Sequence, residues 1–161
     1  MKIIIDNREQ RPVLIGMQND PRFPGISSIN FGTLTTGDYS LEGMSKPSDQ
    51  YSITIERKSL ADFFSSTGKH RDRFEKEMKR MEAFTFAAIV IEADWRTIFR
   101  NPPPVSQMDP SKILRTIIAF CQRHTVHCWD CPSRSFAEKM IYLLLKRFHD
   151  DRQPGGKLYQ P

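Results

Sequence analysis

An α/β fold, with a mixed sheet between helices, is predicted by three features of this sequence. Strand-like and helix-like segments alternate along the chain with no internal repeat. The run Phe86 to Glu92 is apolar up to its final acid, as suits a parallel strand buried on both faces. Tyr51 to Arg57 instead alternates Tyr and Ile with Ser and Thr, the period of two that marks a strand with unlike faces. At 161 residues the chain suits one domain with a sizeable core.

Residues 2–6 begin the order with a β-branched run, Ile3-Ile4-Ile5, that stops at Asp6 and reads as a buried strand. Residues 10–27 hold three prolines and two glycines and read as a long loop. Ile29 to Leu34 and Tyr39 to Leu41 suggest a strand pair bent at Gly37, and the Tyr51 to Arg57 strand follows. Ser59 opens a short helix through Phe63 and Phe64, and Gly68 separates it from a second near 70–83. That second helix puts Phe74, Met78 and Met81 on one face, with its many cations mostly elsewhere. Trp95 to Phe99 fits one helical turn, ended by three prolines. Asp109-Pro110 is an N-cap and first-turn proline for a helix to about 123. Val126 to Trp129 is a short strand, and Ser135 is the expected cap of a last helix to His149. The expected domain covers 1–150, and 151–161, with Pro154-Gly155-Gly156, reads as a loose tail.

Charge and composition narrow the function. A net charge of +5 and a pI near 9.2 favour a polyanionic partner. The longest apolar run is six residues, far short of the ~20 that span a bilayer, so no membrane role is expected. The three-residue Ile run after Met1-Lys2 is too short for a signal-peptide core, so the chain is read as intracellular and not secreted. Its cysteines, Cys121, Cys128 and Cys131, are then expected as reduced thiols. Cys128-x-x-Cys131 has zinc-ligand spacing but lacks a second paired half, and core thiols explain the three residues better.

The chemistry concentrates in Asp38, within Thr-Gly-Asp-Tyr, and in Ile-Glu-Arg-Lys-Ser-Leu-Ala-Asp from Ile55 to Asp62. Carboxylates at Asp38 and Glu56 suit Mg²⁺ (or Mn²⁺), a hard cation that takes one or two acids plus phosphate oxygens and waters. Lys58 follows Glu56 by two and shares its strand face, where its ammonium can neutralise a phosphodiester in reaction or hold the attacking water. Asp6, at the carboxyl end of the first strand, is a third candidate for metal or metal-water contact. Arg57 must face the other side of the sheet, toward an ion pair with another acid or a backbone contact. Asp62 matches a capping-box spacing with Ser59. Arg71, Arg73, Lys76 and Arg80 on the second helix are candidate phosphate contacts, and Glu92 is a strand-end acid or a neighbour of the site.

Three ordered motifs, Asp6-x-Arg8-Glu9, Gly37-Asp38-Tyr39 and Glu56-Arg57-Lys58-x-x-x-Asp62, resemble the nuclease domain of XPF-type structure-specific DNA endonucleases. The resemblance extends over residues 1 to about 150. It implies the restriction-endonuclease-like PD-(D/E)XK fold, a central mixed sheet flanked by helices, and divalent-metal cleavage of branched or flapped DNA. Asp38 and Glu56 would hold the metal with Asp6 in support, and Lys58 would act at the phosphate. Arg8, Glu9, Arg57 and Asp62 would stand behind them. The family's Gly-Arg-aromatic segment is matched by Arg73-Phe74, with Asp72 in place of the glycine. Catalytically weak scaffolding members typically have broken acidic motifs, whereas all are intact here. The last helix is apolar from Met140 to Leu145, hence on nearly every face, which leaves one side for a partner after the core is covered. The family pairs through its C-terminal helices, so a homodimer, or a heterodimer with a paralogue, is expected, with Leu143 or Leu144 in the seam.

Overall fold

The computed structural model describes residues 1–104 and 106–160. Its strands are β1 (Lys2–Asp6), β2 (Ser28–Gly32), β3 (Tyr39–Leu41), β4 (Ile53–Lys58), β5 (Phe86–Ile91) and β6 (His127–Asp130). Its helices are α1 (Leu60–Thr67), α2 (Arg71–Met81), α3 (Trp95–Arg100), α4 (Pro110–His124) and α5 (Arg134–Asp151). The strands form one sheet in the order β2-β1-β3-β4-β5-β6. β3 runs antiparallel to both neighbours, and the remaining pairs are parallel, so the sheet is mixed as expected.

The period of two on β5 divides the core. Ala88 and Val90 join one apolar cluster with Ile3, Ile5, Ile53, Ile55 and the inner side of α5. Ala87, Ile89 and Ile91 join the other, with Phe63, Phe74, Met78, Ile113, Ile117 and Phe120 from α1, α2 and α4. Full burial of each of the larger of these, the Val, Ile, Phe and Met side chains, contributes roughly 1.5–3 kcal/mol. This explains an uninterrupted apolar run, since neither face of β5 meets water.

Several local expectations change. The segments around Ile29 and Tyr39 do not pair with each other, because β1 lies between them, with β2 parallel on one side and β3 antiparallel on the other. The cap of α5 is Ser133, whose Oγ accepts the Phe136 N–H at 3.2 Å, and Ser135 is already helical. Residues 10–27 form a packed strap across α5. Tyr39 Oη accepts the Val13 N–H at 2.9 Å, the Leu14 N–H donates to Glu138 at 2.7 Å, and Tyr142 Oη donates to the Pro24 carbonyl at 2.8 Å. Val13, Leu14, Phe23 and Ile26 are buried in the α5-side core. After α5 the chain turns back, with Leu158 N–H on Asp151 O at 2.7 Å and Gln160 N–H on Tyr51 Oη at 2.8 Å. Pro161, at the end of the expected tail, lies outside the described residues.

The CxxC is split. Cys131 is wholly buried in the α5-side core, whereas Cys128 packs on the opposite cluster beside Cys121.

Candidate active site

Asp38 owes its position to the turn before it. Gly37 has φ +75°, and a Cβ there would come within 2.1 Å of Thr54 Oγ1, so only glycine fits so close to β4. The turn is tied down by the Asp38 N–H to Ile55 O at 2.8 Å and by Thr54 Oγ1 to Thr36 O at 2.9 Å. The Asp38 carbonyl in turn accepts the Asp6 N–H at 2.8 Å, which brings the end of β1 alongside.

β4 then divides its residues between the two faces. Glu56 and Lys58 point with Asp38 into a cavity of about 380 Å³, walled by α1 and α2 and also lined by Asp6, Arg8, Asp62, Arg73, Glu77 and Arg80. Arg57 points the other way and is buried between Glu9 (2.8 Å) and Glu92 (2.7 Å), while Arg134 of α5 also reaches Glu92 at 2.9 Å. Removing one partner of such a buried pair leaves a charge without compensation, a loss of roughly 3–5 kcal/mol. The Arg57 backbone N–H donates to Asp38 Oδ2 at 2.8 Å, so the tie behind the sheet also steadies the carboxylate in front.

Electrostatically the cleft is crowded with acid. Burial pushes the Asp38 carboxyl up to about 7, against the opposing pull of the Arg57 N–H. Burial and then the neighbouring Asp38 raise Glu56 well above the usual carboxylate range. Burial alone would lower Lys58, yet contact with Glu56 and proximity to Glu77, whose Oε2 lies 3.4 Å from Nζ, hold it above the ordinary lysine value. Two abutting carboxylates that resist joint ionisation suit a divalent cation, because added positive charge favours both anions. Thr36, in the cavity wall, has a buried Oγ1 with no hydrogen-bond partner among the described residues, one more hard oxygen at the site. Among the described residues no three His, Cys, Asp or Glu side chains gather closely enough to hold a metal alone. The donors present therefore fit Mg²⁺ or Mn²⁺ completed by water and phosphate oxygens, and not a closed zinc cage.

The other expected residues divide. Asp6 lines the cleft, but its Oδ1 takes the N–H and Nε–H of Arg8 at 2.8 and 2.7 Å, and its Oδ2 takes Arg8 Nη2 and the Leu34 N–H at 2.9 and 2.7 Å. Burial would raise Asp6, but these donors bring it below the usual range. Its acceptor positions are thus already filled by protein groups. Arg8 lines the cleft, whereas Glu9 lies behind the sheet on Arg57. Asp62 is at the cleft, and its Oδ2 accepts the Ser59 hydroxyl at 2.6 Å, where a capping box would have it accept the Ser59 backbone N–H. Arg73 and Arg80 face the cleft. Arg71 stacks over Phe120 at 5.2 Å, and Lys76 lies with Asp72, Glu75 and His124 on another surface. Glu92 is the buried partner of Arg57 and Arg134.

Glu77 and His70 line the cleft without having been anticipated. Glu77 had a signal: four residues after Arg73 and three before Arg80, it shares their helix face.

The sequence matches the ERCC4 domain over residues 5–144. Comparison with curated protein sequences finds no match. Among solved structures, XPF from Aeropyrum pernix superposes with a TM-score of 0.68 at 17% identity, over 91% of this chain and 60% of that one. XPF from Aeropyrum pernix in complex with DNA gives 0.62 at 18% identity, over 95% and 67% respectively. This chain thus spans about three-fifths to two-thirds of each, and the likeness is one of fold.

Proposed function

Because this chain belongs to the ERCC4 domain family, a family of DNA endonuclease domains, we propose that it hydrolyses phosphodiester bonds in branched or flapped DNA with Mg²⁺ or Mn²⁺. The observation that carries the proposal is the pair of buried carboxylates, Asp38 and Glu56, sharing one cleft with Lys58. These two acids are the candidate metal ligands. An ion held there would supply Lewis-acid charge at the phosphoryl oxygens. Lys58 brings a second positive charge to the scissile phosphate, and Arg73 and Arg80 hold flanking phosphates. Arg57 fixes Asp38 from behind, and Asp6, with its acceptors filled, supports the site by pinning Arg8 and the 34–38 turn against β1. DNA is the partner that the basic surface favours, and an intracellular location follows from that substrate.

The test is a cleavage panel of flaps, forks, nicked and intact duplexes with Mg²⁺, Mn²⁺ or EDTA. Asp38→Asn and Glu56→Gln should lose metal-dependent cleavage, by a factor of roughly 10² or more, while still binding DNA. Undiminished cleavage by both purified variants would refute the assignment.

A further inference from the structure

We propose that Glu77 is a positioning residue for Lys58, holding its ammonium in the cleft once Glu56 is committed to a divalent cation. The inference rests on the metal-dependent reading above. In the structure Lys58 Nζ lies between two carboxylates, in close contact with Glu56 and 3.4 Å from Glu77 Oε2. A cation at Glu56 competes for the same oxygens and repels the ammonium, so Lys58 needs a second anion within reach. Glu77 is the other carboxylate within ion-pair distance of Nζ among the described residues, and the Phe74 ring lies 5.2 Å from it.

The choice Glu77 makes on its own helix points the same way. Arg73 and Arg80 stand at i−4 and i+3, spacings that ordinarily favour an ion pair. Glu77 pairs with neither among the described residues and turns instead to Lys58 on β4. The two arginines are thereby left for phosphates. Without Glu77, Lys58 would remain on Glu56 and compete with the metal for it.

The experiment is an Mn²⁺ titration of the whole chain followed by thermal shift, with circular dichroism as the check on folding. Glu77→Gln should raise the Mn²⁺ midpoint roughly fivefold, the scale of coupling between contacting groups. In a Lys58→Met background the same change should move it less than about twofold, because the competing ammonium is gone. Equal shifts in the two backgrounds, or none in either, would overturn the proposal. Glu77→Asp carries the test if Glu77→Gln does not fold: its shorter arm should give a rise of roughly twofold that again vanishes with Lys58→Met. An unmutated protein whose stability ignores Mn²⁺ would overturn the metal-dependent reading and this one together. A metal response lost in Asp38→Asn but indifferent to Glu77 would overturn this one alone.

Discussion

Asp38 illustrates how one residue can be costly to the fold and useful to the site. Its carboxyl ionises near 3.8 ordinarily and at about 7 in the folded chain. Between those values the folded state keeps a proton that the unfolded state has lost, so stability falls as pH rises, with the full penalty present above about 7. In EDTA, Asp38→Asn should therefore melt above the unmodified protein at pH 8, and the gap should close below about pH 4. A gain of roughly 5 °C or more is expected at pH 8, since 1 kcal/mol is worth about 2–4 °C in a domain of this size. An Asn variant that melts no higher at pH 8 would show that Asp38 is not strained by burial. Glu56 and Lys58 were legible because their spacing within one strand reports the face they share, and Asp38 because it stands in the Gly37-Asp38-Tyr39 motif. The filled acceptors of Asp6 were not legible, because they depend on where Leu34 and the Arg8 side chain arrive in space.

At the scale of the element, α2 carries cations on several faces, and the structure separates them. Arg73 and Arg80 face the cleft, whereas Lys76 lies on another surface with acidic neighbours. DNA binding measured against salt should lose about two units of log–log slope when Arg73 and Arg80 are both neutralised. Neutralising Lys76 should leave the slope unchanged. The reverse result would move the DNA path to the α4 side. Periodicity located the extent of this helix closely, 71–81 against an expected 70–83, because Phe74, Met78 and Met81 are spaced for one buried face. It could not assign partners across the sheet. The parallel pairing of β1 and β2 joins segments separated by residues 7–27, which include the strap, and no local pattern encodes such a contact. The strap itself read as a loop because its prolines and glycines mask the four apolar residues that it buries.

For the whole molecule the strap bears directly on assembly. It covers a side of α5 that the sequence reading left for a partner, and Leu144 packs on the protein's own core. Phe136 and Leu143 remain exposed, with half-buried Met140 between them, at i, i+7 and i+4 on one face. A homodimer through that stripe is expected, so light scattering at tens of micromolar should report twice the chain mass, and Leu143→Glu should halve it. A monomer before mutation would refute the homodimer. The division of labour between the two halves of the chain also orders events in time. Among the described residues, all the side chains lining the cleft come from the first half, the last of them Arg80. Yet the backbone of β4 is paired by β5, and the tie through Arg57 needs Glu92, itself held by Arg134. At ~5–20 residues per second of synthesis, roughly 4–15 s pass between the emergence of Lys58 and that of Arg134. The acidic cluster is therefore translated early and assembled late: a nascent chain carries the side chains of the cleft well before the elements that hold them in place.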